Sequence, residues 1–168
     1  MEYAPVFGSG LARSGGGLYS MCLSTHSQMR VACCPNLELF RSFRNAFFRS
    51  LDNSELSKAC GPMSPMQDWY GTEARILLMD KLLEESDLNL LFEETEWSLF
   101  LEQSINRGEL ESADLTKSYE SLKAATYRDI FVRLLQIIAE KRDGDQSKWI
   151  GLHEAWILDF YPALARAF

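Results

Sequence analysis

A chain of 168 residues, 46% hydrophobic and 24% charged, has the size and make-up of one globular domain that needs no metal or disulfide staple. No apolar run reaches the ~20 residues of a membrane-crossing helix; the longest candidate, Ile130 to Ala139, is interrupted by Arg133 and Gln136. The net charge of −7 is uneven, +1 up to Tyr70 (6 basic, 5 acidic) and −8 from Gly71 onward (11 basic, 19 acidic), and an acidic body favours solubility and repels a nucleic-acid backbone.

The first 35 residues differ from the rest. No acidic residue stands between Tyr3 and Leu37, while Ser9, Ser14, Ser20, Ser24, Ser27, the run Gly15-Gly16-Gly17, Arg13 and Arg30 do. An acid-poor, serine-rich, arginine-bearing segment reads as an organelle transit peptide or a flexible tail. Val31-Ala32-Cys33 before Cys34 resembles the small-residue cleavage sites of plastid leaders. The expected organisation is therefore a flexible or leader-like segment over 1–35 and a folded domain over 36–168. The protein is expected to be soluble and intracellular, in a plastid or other organelle if residues 1–33 are a leader and cytoplasmic otherwise.

Asn36 can cap a first helix from Leu37 to about Leu51, with Phe40, Phe43, Phe47 and Phe48 at helical spacing. Gly61, Pro62 and Pro65 forbid its continuation. Thr72 can cap a helix from Glu73 to about Glu85, and Ser86 or Asp87 one from Leu88 to Asn106, ended by Gly108. A long helix is expected from Asp114 to about Arg142, its second half apolar nearly all round and so central. After Asp143-Gly144-Asp145, a last helix is expected from about Gly151 to Ala167, kinked or divided at Pro162. No strand-like alternation stands out, so the fold class expected is all-α, a single compact bundle of about five to six helices.

Four cysteines (Cys22, Cys33, Cys34 and Cys60), with no C-x-x-C and only His26 and His153 as imidazoles, argue against a zinc site and for a reducing compartment. The residues Asp143, Asp145, Ser147 and Glu154 occupy the first, third, fifth and twelfth places of a run that resembles the EF-hand calcium loop. Lys148 stands at the sixth place, where that loop turns on glycine. The resemblance implies calcium held between two helices, against which the aspartates serve as well to cap and turn.

Leu99-Phe100 followed by Ile105-Asn106-Arg107-Gly108 resembles the first groove motif of the apoptosis-regulating B-cell-lymphoma family, with Arg107 where that family has Trp. Trp149-Ile150, then Trp156 with Phe160-Tyr161, resembles its second. The resemblance implies a hydrophobic groove receiving an amphipathic helix, with Asn106 and Gly108 at the start of a central helix. Glu109 to Lys123 departs from the pattern, being polar on most sides.

Arg41, Arg44 and Arg49 interleave with the phenylalanines of the first helix, a pattern that can neutralise phosphates and stack on bases. The alternative is an amphipathic helix with its arginines in water. No nucleophile elbow, Walker-type loop, G-x-G-x-x-G or Glu-x-x-His occurs, so neither an enzyme nor a cofactor is expected. The leading expectation is a non-catalytic assembly, adaptor or regulatory protein that binds another protein, or a second copy of itself. Trp97, Phe100, Asn106, Gly108, Trp149, Trp156 and Phe160 are its candidate contact residues, since aromatics dominate interface energetics.

Overall fold

The computed structural model describes residues 3–10, 14–33, 37–51, 80–92, 117, 125–140, 148–154 and 157–168, the side chains of 37, 38 and 41 apart. The all-α expectation is overturned. Strands β1 (Ala4–Gly8), β2 (Met29–Cys33) and β3 (Trp149–His153) form a sheet in the order β1-β3-β2, with both neighbours parallel to β3. The described helices are α1 (Gly16–Ser24), α2 (Leu37–Ser50), α3 (Tyr127–Glu140) and α4 (Ile157–Ala167), with a further helical stretch at 80–85. The architecture is mixed α/β, and the segment expected to be a flexible preface supplies two of its three strands.

The sheet escapes a search for alternation because its central strand is covered on both faces and buried from Ile150 to His153. Side chains alternate across a strand. Ile150 and Leu152 enter the main core with α2, α3 and α4, so Trp149, Gly151 and His153 face the other way, toward α1. Pro5 is accommodated because β1 is an edge strand, where a missing N–H removes little pairing.

The core follows from the phenylalanine spacing. Phe40 packs its ring 5.2 Å from both Phe131 and Phe160, and Phe43 lies 5.1 Å from Tyr127. Thus α2 forms as its pattern predicts, and α3 fills the central place its apolar girth requires.

Three helix boundaries differ from expectation. The long helix expected from Asp114 is interrupted at Ala125 and Thr126, and α3 starts at Tyr127; Lys117, the one described residue between Asp114 and that break, is helical. Thr126 donates its N–H to the Asp129 carboxylate (2.9 Å), and its hydroxyl accepts the Asp129 N–H (3.2 Å), which is a capping box. The helix expected from Leu88 begins instead as a turn, since Leu91 bridges Thr126. The last helix starts at Ile157, after β3 has used Gly151 to His153, and it runs through Pro162 undivided.

The connection from α1 to β2 is tied by its own polar residues. The Ser24 hydroxyl accepts the Val31 N–H (3.0 Å), and Arg30 Nη1 donates to the His26 and Met29 carbonyls (2.9 and 2.7 Å). No helix among the described residues is long and apolar enough to cross a membrane.

Candidate functional site

Parallel pairing places Gly8, His153 and Cys33 on one rung at the carboxyl ends of β1, β3 and β2. Neighbouring strands lie ~4.8 Å apart, so the imidazole is flanked by a glycine on one side and a thiol on the other. The chain leaves β1 at Gly8 and enters α1 at Gly16, and the first turn of that helix lies against the His153 ring.

Each glycine here has a steric reason. Gly15 sits before α1 with φ 87°, a left-handed conformation that costs a side-chain-bearing residue ~1–2 kcal/mol. A Cβ on Gly16 would fall onto the His153 ring, 2.9 Å from both Nδ1 and Nε2. A Cβ on Gly8 would stand 3.2 Å from the ring's Cδ2. The backbone of α1 thus approaches the imidazole as closely as its own atoms allow, and any residue but glycine at position 16 would push the two apart.

His153 is only 5% exposed, and among the described residues its Nδ1 has no hydrogen-bond partner. An unmatched buried polar atom costs ~1–3 kcal/mol. It lies against a helix end whose N–H groups have no intrahelical acceptor, since Gly15 supplies no side-chain cap and the first bond of the turn runs from the Tyr19 N–H to the Gly15 carbonyl (3.0 Å). Helix N–H groups, the positive end of the helix dipole and an imidazole N–H together suit an anion with several acceptor oxygens. Glu154 follows, buried, donating its N–H to the Gly8 carbonyl (3.1 Å). That bond anchors the end of β3 to the end of β1.

The residues singled out from sequence do not assemble into one site. Of the candidate partner contacts, Trp97, Phe100, Asn106, Gly108 and Trp156 lie outside the described residues. Trp149 is 37% exposed, with its ring edge toward His26, whereas Phe160 is fully buried. The strand at Trp149–His153 also stands where the groove resemblance requires helix.

Of the calcium set, Asp143, Asp145 and Ser147 lie outside the described residues. Glu154 does not open a helix, for it follows five extended residues, which at ~3.3 Å each carry the chain ~16 Å. Of the basic set, Arg44 is fully buried, its Nε and Nη2 donating to Asn45 Oδ1 (2.9 and 2.7 Å). Arg49 is half-buried, and the Arg41 side chain lies outside the described residues. Phe40, Phe43, Phe47 and Phe48 are all buried and present no ring for stacking.

Sequence reading missed His153 and the glycine turn. The available signal was Gly8-Ser9-Gly10 followed by Gly15-Gly16-Gly17, between a short apolar run and a capless helix; it matches none of the standard phosphate-loop spacings. No family model, no curated protein and no solved structure matches this chain.

Proposed function

We propose that this chain binds a phosphate-bearing small molecule, a nucleotide in the first instance, at the carboxyl edge of its parallel sheet. Ligands of open α/β sheets bind outside the carboxyl ends of the strands, and a glycine turn from strand to helix lets the backbone approach phosphate oxygens. The observation that carries the reading is the buried His153 Nδ1, without a hydrogen-bond partner among the described residues, against the uncapped first turn of α1. Binding alone is proposed; no reaction step is assigned to these residues, in keeping with the non-catalytic expectation.

Isothermal titration with inorganic phosphate and with ADP tests it. Binding is expected for both. A hydrogen bond to a charged group contributes ~1.5–3 kcal/mol, so His153→Ala should weaken each by roughly 10- to 100-fold. No heat from either ligand at millimolar concentration, with the protein folded by circular dichroism, would remove the proposal.

This reading requires residues 1–33 to stay in the working protein, because their removal strips β3 of both neighbours. Mass spectrometry of the native N-terminus decides between retention and a cleaved plastid leader: a chain beginning near Cys34 would exclude the site. An intracellular, reducing location is proposed with it, and the exposed Cys22 supports that reading.

A second reading keeps the partner-protein expectation on the outer face of α1, whose Tyr19 ring also meets the His153 ring edge-on at 6.3 Å. Helix α1 turns Leu18, Tyr19 and Met21 outward, 68%, 56% and 68% exposed, and buries Ser20. It carries no charge, so the occupant it suits is an uncharged, apolar helix face of another protein. Cross-linking from Met21→Cys that recovers no stoichiometric partner would count against it.

A further inference from the structure

Helix α1 carries its apolar side outward. Gly16, Ser20 and Ser24 stand four residues apart and so share one face. That face meets the sheet. Ser20 is buried, with its hydroxyl donating to the Gly16 carbonyl (3.0 Å). The Ser24 hydroxyl donates to the Val31 carbonyl (3.1 Å) and accepts the Val31 N–H (3.0 Å). Leu18, Met21 and Cys22, at three- and four-residue spacing, lie on the opposite face and are exposed. A helix on the surface of a globular protein turns its apolar stripe to the core; α1 turns small and polar residues there instead. Just past the helix, the His26 ring lies 6.3 Å from the exposed Trp149 ring, which carries the apolar surface on to the start of β3.

We propose that the outer face of α1 is the contact between two copies of this chain, paired antiparallel about a two-fold axis near Met21 and Cys22. This inference rests on the partner-protein reading of α1 given above and names the partner. A two-fold contact sets one surface against itself, so a charged residue near the axis meets its own charge. From Ser14 to Met29 there is no Asp, Glu, Lys or Arg, in a chain whose net charge is −7. Contact through α1 therefore brings no like charges together. Helix α4 also exposes Leu158 and Tyr161, but it carries Asp159 and Arg166.

A lipid surface fits α1 less well, because helices that lie on membranes carry Lys and Arg along their polar face and α1 has neither. Antiparallel pairing also sets the positive end of each helix dipole beside the negative end of the other. Near the axis, the small Cys22 side chain leaves room for Met21 of the second copy. A nine-residue helix is ~13 Å long and ~10 Å across, and covers less than the ~800 Å² per partner of a standard interface. The pair is therefore a weak one that forms and parts with concentration.

Sedimentation equilibrium of the full chain, from micromolar to millimolar concentration, tests this, with circular dichroism to follow the fold. The mass is expected to rise from 19.2 kDa toward twice that value. Met21→Lys and Met21→Glu each set like charges across the axis, and each should weaken association at least ~10-fold. An equimolar mixture of the two variants should restore it, because opposite charges then meet. Mild oxidation of the natural chain at high concentration should join the copies through Cys22, read by peptide mapping, in preference to Cys33, which is exposed as well.

A chain that is folded and monomeric throughout overturns this inference. A different protein cross-linked in stoichiometric amount to Met21→Cys would then leave the partner-protein reading standing, and the lack of one would remove both. A dimer that both charged variants leave unchanged, or that oxidation joins through another cysteine in place of Cys22, overturns the inference too. So does a monomer that sediments with phosphatidylcholine vesicles until Met21→Lys releases it.

Discussion

Phe160→Ala separates the packed role of that side chain from the partner-facing one its sequence context suggests. The ring is fully buried, with its centroid 5.2 Å from Phe40 and 5.7 Å from Phe43, so it joins α4 to α2 at the centre of the core. A buried phenylalanine removes ~150–250 Å² from water, which at ~25 cal/mol/Å² corresponds to about 4–6 kcal/mol. Truncations of such residues in measured series cost ~3–5 kcal/mol, cavity included. The two agree, and each ring pair accounts for ~0.5–1.5 kcal/mol of the total. Against a net stability of ~5–15 kcal/mol, that loss brings the fold near its limit. Urea unfolding followed by circular dichroism reads it: with a slope of ~2 kcal/mol/M, the midpoint should fall by ~1.5–2.5 M. A midpoint unchanged from the natural chain would refute the packing, and would return Phe160 to the surface as the groove resemblance implies.

Three further predictions concern the helix starts and the glycine turn. Gly16→Val puts a branched carbon onto the His153 ring; overpacking of this kind costs ~1–3 kcal/mol, and phosphate affinity should fall with it, both read by titration and thermal melting. Thr126→Ala removes the hydroxyl that accepts the Asp129 N–H and donates to its carboxylate, and should cost ~1 kcal/mol in a denaturant titration. Hydrogen bonds from the Thr126 side chain and backbone hold the Asp129 carboxyl below the ordinary carboxylate range. A depressed folded value means that the stabilisation is complete above the ordinary range and is lost as pH falls through the folded value. An acid titration of stability should therefore lose less in Asp129→Asn than in the natural chain; equal losses would show that the capping carboxylate is not charged in the folded state.

How much of this was legible depends on whether the determining contacts are local. The α2 helix was, because Phe40, Phe43, Phe47 and Phe48 report a helical stripe within a few turns. The centrality of α3 was legible for the same reason. The sheet was not, because Ala4 pairs with Trp149 across almost the whole chain, and a central strand covered on both faces has no period to detect. Trp149-Ile-Gly-Leu-His153 therefore reads as the approach to a helix. The break before α3 was not legible because Thr126 is an acceptable residue inside a helix by type, and the Leu91 bridge that makes it a cap is a tertiary fact. The candidate site depended on the sheet, so His153 was visible only as one of two imidazoles.

The acid-free stretch between Tyr3 and Leu37 admits two readings on composition alone. Lack of carboxylates, small residues and a few arginines describe a leader peptide, and the same properties describe a backbone built to approach an anion. Carboxylates near a helix start would occupy it or repel a phosphate, and β1, α1 and β2 carry none; the buried Glu154 beside Gly8 is the one described carboxylate that the proposed anion site must tolerate. Glycine permits the close approach, and Ser24 and Arg30 tie the return to β2. The two accounts part on whether β1 and β2, one on each side of β3 in parallel register, remain in the working protein: the proposed anion site needs both, a cleaved leader would remove both, and the mass of the native N-terminus decides.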